Sequence, residues 1–481
     1  MSKLQKKILF ISLVFWFLVF SLIFVFYSQG YRFDFSKRKI VQTGGLFLKI
    51  SPPGVSIYLN DKLIKKTNFL FDSLFLNNLI PGEYKIQIEK DGYHSWSKTL
   101  PVEELKVTEA KYIRLFPKKL NFKDLEKNIQ DIYLLNNQEI ILQRNTNNGW
   151  EIVKLNSDLK KEVLARESDF VKYFSNKKNK TSEIFALKLE NIIFSSNKAV
   201  LLRLTHNKET KLLLFDLVSK EIQELPLKDI KIKEIKFDPK DPEKIYILGK
   251  RTEQKKLSFG LFVFQKNQDK VLNITAPAGF EPITFDFLNG DLVWLNKDGF
   301  LLRGKIKDRV SLQVIEIFNL KPRKIEEEEY KLKIIKDNIF LFEGEKLFYL
   351  DPLRHIFVPV IEVAKNFSLS PDNKKIAIST GHQIWLFYLK DDYQQPKRSF
   401  LEKFLLTTSE EAINDILWIN PYYLIISYKT GIKIIEIDNR SKLNETIISE
   451  FKNPKIFWDP NKKRLFVLSN KTLFFVDKLL K

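Results

Sequence analysis

No cysteine occurs in any of the 481 residues. That excludes disulfides, thiolate metal sites and a cysteine nucleophile, and it leaves the redox compartment open. Histidine is nearly as scarce, with His94, His206, His355 and His382 making up the full set of four. No two stand four residues apart and no His-Glu-x-x-His run exists, so a histidine-based metal centre is not expected. A Gly-x-Ser-x-Gly elbow, a Walker A loop and a Gly-x-Gly-x-x-Gly turn are all missing, which removes the common hydrolase and nucleotide-binding signatures. Acidic pairs are frequent, but order along the chain does not give their separation in space, so no glycosidase dyad is assigned. The chain is therefore read as non-enzymatic. No catalytic, cofactor-binding or metal-ligating residue is assigned, no cofactor is expected, and each histidine is read as a packed or exposed side chain.

Charge is abundant but spread out. The 80 basic and 59 acidic residues give a formal net charge of +21. The densest basic run, Lys177-Lys178-Asn179-Lys180, is short, and no helix-turn-helix, zinc-finger or RNP-like aromatic pattern accompanies it. No nucleic-acid partner is expected. Richness in Lys, Ile, Asn and Phe reads more simply as base-composition bias. The 41 Phe, with abundant Ile and Leu and only 16 Gly, describe a folded chain rather than a disordered one.

One long hydrophobic run is present, from Ile8 to Tyr27. All but Ser12 and Ser21 are apolar, and it holds no charge, Pro or Gly. A helix of that length spans about 30 Å, the thickness of a bilayer core. The run is longer than a signal peptide's apolar region, and bulky Tyr27, Gln29 and Tyr31 follow it where a cleavage site would need small residues. It reads as a permanent anchor in the lipid bilayer. Lys3, Lys6 and Lys7 precede it and Arg32, Lys37, Arg38 and Lys39 follow, a nearly balanced count, but Lys6 and Lys7 abut the span whereas Lys37 to Lys39 lie ten residues beyond. Residues 1–7 are thus read as a cytoplasmic tail, with the bulk of the chain outside the cytoplasm.

Beyond the span the pattern changes to alternation. Val55, Ile57 and Leu59 share one face, with Ser56 and Tyr58 between them; Tyr84, Ile86 and Ile88 alternate with Lys85, Gln87 and Glu89. This is period-two strand patterning with one buried face. Pro53-Gly54, Asn60-Asp61, Pro81-Gly82 and Asp91-Gly92 supply the turns. Residues 43–117 are expected to form a small β-sandwich. The segment Ser51-Pro52-Pro53-Gly54-Val55-Ser56-Ile57-Tyr58-Leu59-Asn60-Asp61-Lys62 resembles the opening of a PEGA domain, with Thr67 where that family closes its first hairpin. Pro81-Gly82-Glu83-Tyr84-Lys85-Ile86-Gln87-Ile88-Glu89-Lys90-Asp91-Gly92-Tyr93 resembles the family's signature segment. The resemblance implies a non-catalytic module of surface or membrane-tethered proteins, and it supports the outside topology. His94 and Trp96 are read as packing residues.

The remainder, residues 118–481, repeats a strand–turn–strand unit. Phe367-Ser368-Leu369-Ser370-Pro371-Asp372-Asn373-Lys374-Lys375-Ile376-Ala377-Ile378-Ser379 is the clearest copy. The turns centre on Asn137, Asn197, Asp241, Gly290, Asp337, Asn373, Tyr422 and Asn461, with steps of 60, 44, 49, 47, 36, 49 and 39 residues. The mean, about 46, is the length of one four-stranded propeller blade. The clearest copy resembles the WD40-like repeats of TolB-type propellers. A β-propeller of about eight blades is expected, or seven if the wide first step hides a non-repeat insertion. The last unit lacks an outer strand, which Leu120 to Leu125 would supply. Helix content should be low; the acidic run Glu326 to Glu329 reads as a solvated loop.

The fold class is accordingly all-β: an N-terminal transmembrane helix, a PEGA-like sandwich and a propeller. The function that follows is a membrane-anchored, extracytoplasmic binding or scaffold protein of the cell envelope, presenting its propeller to another protein or an envelope polymer. The alternatives are a propeller-based enzyme acting on envelope glycans and a cytoplasm-facing tethered sensor.

Overall fold

The structure, a computed structural model, describes residues 3–35, 37–68, 72–135, 139–174, 186–195, 198–227, 230–253, 256–308, 310–326, 329–477 and 479–480. Helix α1 (Lys3–Ser28) opens the chain. Its stretch Lys7–Ser28 is long and apolar enough to cross a membrane, and none of it is buried against protein. The helix begins before the apolar run and includes Lys3 to Lys7. A hairpin of β1 (Tyr31–Asp34) and β2 (Lys39–Gln42) comes next, where the charge pattern alone had shown only basic residues.

Seven strands then form two facing sheets: β3 (Gly44–Ser51), β4 (Ser56–Leu59), β5 (Lys62–Lys66), β6 (Ser73–Leu79), β7 (Gly82–Glu89), β8 (Trp96–Val102) and β9 (Val107–Arg114). One sheet runs β6-β3-β9 and the other β5-β4-β7-β8. The alternating residues foreseen from the sequence meet in the middle: Ile57, Ile86 and Ile88 pack with Leu46, Leu48 and Leu100. Thr67 shows why a hydroxyl suits its position. Its Oγ1 accepts the backbone N–H of Gly54 at 3.2 Å and of Val55 at 2.9 Å, while its own N–H donates to the Val55 carbonyl at 2.8 Å. The turn after Ser51 is thereby closed from inside.

From β10 (Lys123–Lys127) onward the described residues form eight four-stranded antiparallel sheets. Sheets 1 to 7 cover residues 129–166, 188–224, 230–274, 282–317, 330–361, 366–408 and 413–449. Sheet 8 takes three strands from residues 455–476 and its outer strand from β10, which pairs with Thr472–Val476. The closing strand therefore lies at Lys123–Lys127, slightly beyond the expected Leu120 to Leu125. Each consecutive pair of sheets shares one apolar cluster. Ile132, Leu142 and Val153 of sheet 1 pack against Phe466, Leu468 and Phe475 of sheet 8, so the ring closes on itself. This is a β-propeller, in which no blade could bury its two faces alone.

Asp241, Gly290, Asp337, Asn373, Tyr422 and Asn461 each fall between the first and second strands of a sheet. Asn137 and Asn197 lie outside the described residues, as do the Lys177-to-Lys180 run and Glu327 and Glu328. Glu326 and Glu329 belong to no helix or strand. The wide first step arises between sheets 1 and 2, where two 3-10 turns (Glu167–Asp169 and Val171–Tyr173) insert Phe170 and Phe174 under Trp150.

Candidate functional site

Two features organise the molecule: a polar junction between sandwich and propeller, and the ring of inner strands. The junction begins with the pleat of β8. Its alternate residues Trp96, Lys98, Leu100 and Val102 all face inward. Lys98 is the misfit, a lysine with a fully buried side chain. It meets Glu436 at the end of the strand Ile432–Glu436 of sheet 7, donates to the Asp438 carbonyl, and lies 3.8 Å from the Asp438 carboxylate. Trp96 Nε1 donates to Glu436 Oε2 at 2.8 Å, and Asn444 Nδ2 donates to Glu436 Oε1 at 2.7 Å. Ser97 N donates to Asn444 Oδ1 at 3.0 Å. Burial pushes the Glu436 carboxyl above its ordinary range, while Lys98, Asn444 and Trp96 hold it back.

Strand β9 carries the rest of the contact. The Gln395 side chain accepts from Glu109 N at 2.9 Å and donates to the Val107 carbonyl at 3.0 Å, mimicking a strand partner. Arg440 bridges Asp438 at 2.6 Å and the Glu109 carbonyl at 2.9 Å. Arg114 N donates to the Tyr423 hydroxyl at 3.0 Å, and the Tyr112 and Tyr422 rings stack. Beneath Tyr422 sits a second buried lysine, Lys375. It is paired with Asp372 at 2.9 Å and caged by the rings of Tyr388, Trp418 and Tyr422, each under 6 Å away. Only about 50 Å³ stays open between the domains. That volume has room for a water or two.

The inner strands form the second feature. Their first residues differ in register from the usual ladder: bulges lie just before Asp131, Glu234 and Asp415, re-aiming these carboxylates. Ties run around the ring from strand to strand. Lys455 of sheet 8 pairs with Asp131 of sheet 1 at 3.1 Å. Lys236 of sheet 3 pairs with Asp286 of sheet 4 at 3.1 Å and donates to the Leu332 carbonyl of sheet 5 at 3.3 Å. Lys333 of sheet 5 sits 4.6 Å over the Phe367 ring of sheet 6. Asn366 Nδ2 donates to the Asn414 carbonyl of sheet 7 at 2.7 Å.

The charges around this ring are uneven. Sheets 3 and 5 bring Lys233, Lys236, Lys331 and Lys333 near Glu234 and Asp286, an excess of two positive charges. Lys333 is exposed, yet partial desolvation by the surrounding strands, then repulsion from Lys331 and Lys236, pushes its ammonium below the ordinary range, with Asp286 opposing. Burial raises the Glu234 carboxyl, against Lys236 and Thr284. On the other side burial raises the Asp415 carboxyl; Lys455 opposes this and Asp131 adds to it.

Among the described residues no group of three or more His, Asp or Glu side chains is arranged to hold a metal ion. The histidine rings are placed differently: that of His94 is partly buried, with its Nε2 enclosed and without a hydrogen-bond partner among the described residues. His206, His355 and His382 each bond a backbone carbonyl through Nδ1. His94 donates its backbone N–H to Phe116. Trp96, read from the sequence as a packing residue, is both packed and a donor across the junction. The junction's own signal, a lysine in an inward position of Trp96-Ser97-Lys98-Thr99-Leu100, was present in the sequence but went unread.

Residues 43–115 match the PEGA domain family. The match spans the sandwich, β3 to β9. No curated protein matches the chain. Solved structures similar to it include the computationally designed Ika8 protein, at 12% identity over 74% of this chain and 98% of that one, with a TM-score of 0.40. Others are YCF48 from Cyanidioschyzon merolae (12% identity, 60% and 95% covered, TM-score 0.35) and the Cps50 (Swd1) β-propeller domain from Myceliophteria thermophila (10% identity, 75% and 99% covered, TM-score 0.35). The PEGA domain thus stands between α1 and the propeller and is joined to the propeller through buried charges.

Proposed function

We propose that this chain is a membrane-anchored, extracytoplasmic scaffold that acts by binding rather than catalysis. Helix α1 holds it in the bilayer. The PEGA domain passes that position to the propeller, and the propeller, read as eight blades, engages another protein or an envelope polymer. The observation that carries this reading is the junction: Lys98, Trp96, Arg440 and Gln395 fasten the PEGA domain to sheets 6 and 7. A loosely tethered propeller would not need a desolvated ion pair there.

The inner ring suits an anionic partner. Asp131 and Asp415 share Lys455 on one side of the ring, while at sheets 3 and 5 four lysines outnumber Glu234 and Asp286. Carboxylate or phosphate groups of a protein loop or polymer complement that wall. Poly-glutamate serves as the probe. The full chain in detergent should bind it, and the double variant Lys331→Glu/Lys333→Glu should bind about tenfold more weakly, two ion pairs of ~0.5–1 kcal/mol each being lost and reversed. The control Lys62→Glu/Lys65→Glu, on exposed β5 of the PEGA domain, should bind as the parent does. Equal losses in both variants, measured by titration calorimetry, would show only diffuse charge and sink the ring as the binding face.

A further inference from the structure

We propose that the β1–β2 hairpin is an interfacial foot, which lays an apolar face into the bilayer surface and sets a basic turn among anionic lipid headgroups. The inference rests on the reading of α1 as a membrane span and adds to it a second, lipid-selective contact.

The hairpin has two unlike faces. Its register pairs Phe33 with Ile40, and Asp34 with Lys39. Asp34 and Val41 on the back face are buried. The front face is bare: Phe33 is 46% exposed, Ile40 68% and Phe35 83%. Phe33 and Phe35 pack edge to face with ring centroids 5.0 Å apart, forming one apolar patch. Lys37, Arg38 and Lys39 are exposed beside it.

The hairpin is also fixed to the end of the span. Arg32 lies 3.4 Å over the Tyr27 ring and donates to the Tyr27 carbonyl at 2.7 Å. Phe26 and Tyr31 pack edge to face at 5.4 Å. Gly30, at φ +89°, turns the chain, and its carbonyl accepts the Thr43 N–H at 2.9 Å. A Cβ at Gly30 would lie 2.9 Å from the Thr43 hydroxyl, so the turn is built for glycine. Strands of four residues reach about 13 Å. The turn therefore stays close to the point where α1 leaves the bilayer.

Aromatic residues favour the interface between hydrocarbon and water. Lys and Arg beside a membrane are attracted to anionic lipid headgroups. An apolar patch beside three basic residues, rooted at a span's end, fits a lipid surface better than a protein partner, because the bilayer is already there.

The absence of native cysteine allows a site-specific test on the full chain in nanodiscs. Phe35→Cys, Leu18→Cys inside α1 and Val218→Cys on the propeller each receive an environment-sensitive fluorophore. In discs containing phosphatidylglycerol, the Phe35 label should shift to the blue and be quenched by lipid-borne nitroxide, as the Leu18 label is; the Val218 label should be quenched only by aqueous iodide. Pure phosphatidylcholine, or Lys37→Glu/Arg38→Glu/Lys39→Glu in anionic discs, should reduce the Phe35 quenching. A Phe35 label as open to iodide as the Val218 label would overturn the proposal, and so would one shielded from both quenchers, which would mean a protein cover. Quenching indifferent to lipid charge would overturn the headgroup part. Failure of the Leu18 label to be quenched would instead remove the membrane reading itself.

Discussion

Replacing Lys98 with methionine will destabilise the PEGA–propeller joint by about 3–5 kcal/mol, the cost of leaving a buried charge without its partner. Methionine fills most of the lysine's volume, so the loss is electrostatic. Glu436 would keep Trp96 and Asn444 as donors but lose its counter-charge in a site that already pushes its carboxyl upward through burial. The sign of the pH dependence follows. A carboxyl whose folded pKa is raised stabilises the fold fully below its unfolded value and loses that contribution as the pH climbs through the folded one. Without Lys98 the folded pKa rises further. The defect should be large at neutral pH and shrink toward acid, where Glu436 protonates. The double variant Lys98→Met/Glu436→Gln should recover much of the loss at neutral pH. Thermal unfolding at two pH values, with limited proteolysis of the junction, checks both signs. A defect equal at both values would mean that packing, not charge, governs the joint.

Trp294→Ala should cost a further class of energy, about 3–5 kcal/mol from cavity formation in a core. Trp294 lies in the strand Asp291–Asn296 of sheet 4, fully buried among Phe285, Leu302 and Leu312, with Tyr246 and Leu248 reaching in from sheet 3. Its Nε1 donates to the Phe280 carbonyl at 2.7 Å. The site is shaped to this ring: a Cβ on Gly304 would stand 2.9 Å from it. Alanine would empty the seam between two sheets and leave that carbonyl without its donor. Trp294→Phe should retain most of the packing and cost less. Guanidinium unfolding followed by circular dichroism gives the ranking. A loss below ~1 kcal/mol for the alanine variant would mean that the seam collapses freely, contrary to the tight packing found there.

The sequence made the repeating parts legible because they are local. A turn such as Ser370-Pro371-Asp372-Asn373 and the strand beside it are neighbours in the chain, so period and spacing report them. The span announced itself by length and the PEGA sandwich by alternation and paired turns. The hairpin after the span was half visible: Lys37, Arg38 and Lys39 were counted for topology, but the pairing of Phe33 with Ile40 that gives it a face was not. The joint and the inner ring were hidden for a different reason. Lys98 and Asp438 are 340 residues apart, and Lys455 pairs with Asp131 across 324. Domain docking brings the first pair together and ring closure the second. A single sequence holds no trace of either beyond oddities, such as a lysine in an inward position of β8 or lysines alternating with apolar residues in Ile230-Lys231-Ile232-Lys233.

In the proposed function α1 anchors a propeller held outside the cytoplasm. One substituted cysteine decides it. Val218 is 78% exposed in the turn after Asp216 of sheet 2, and a cysteine there has no competitor elsewhere in the chain. Intact cells expressing Val218→Cys are treated with a membrane-impermeant maleimide, then compared with lysed cells. Labelling in intact cells to the same extent as after lysis is the predicted result. Labelling only after lysis would place the propeller in the cytoplasm and contradict the account.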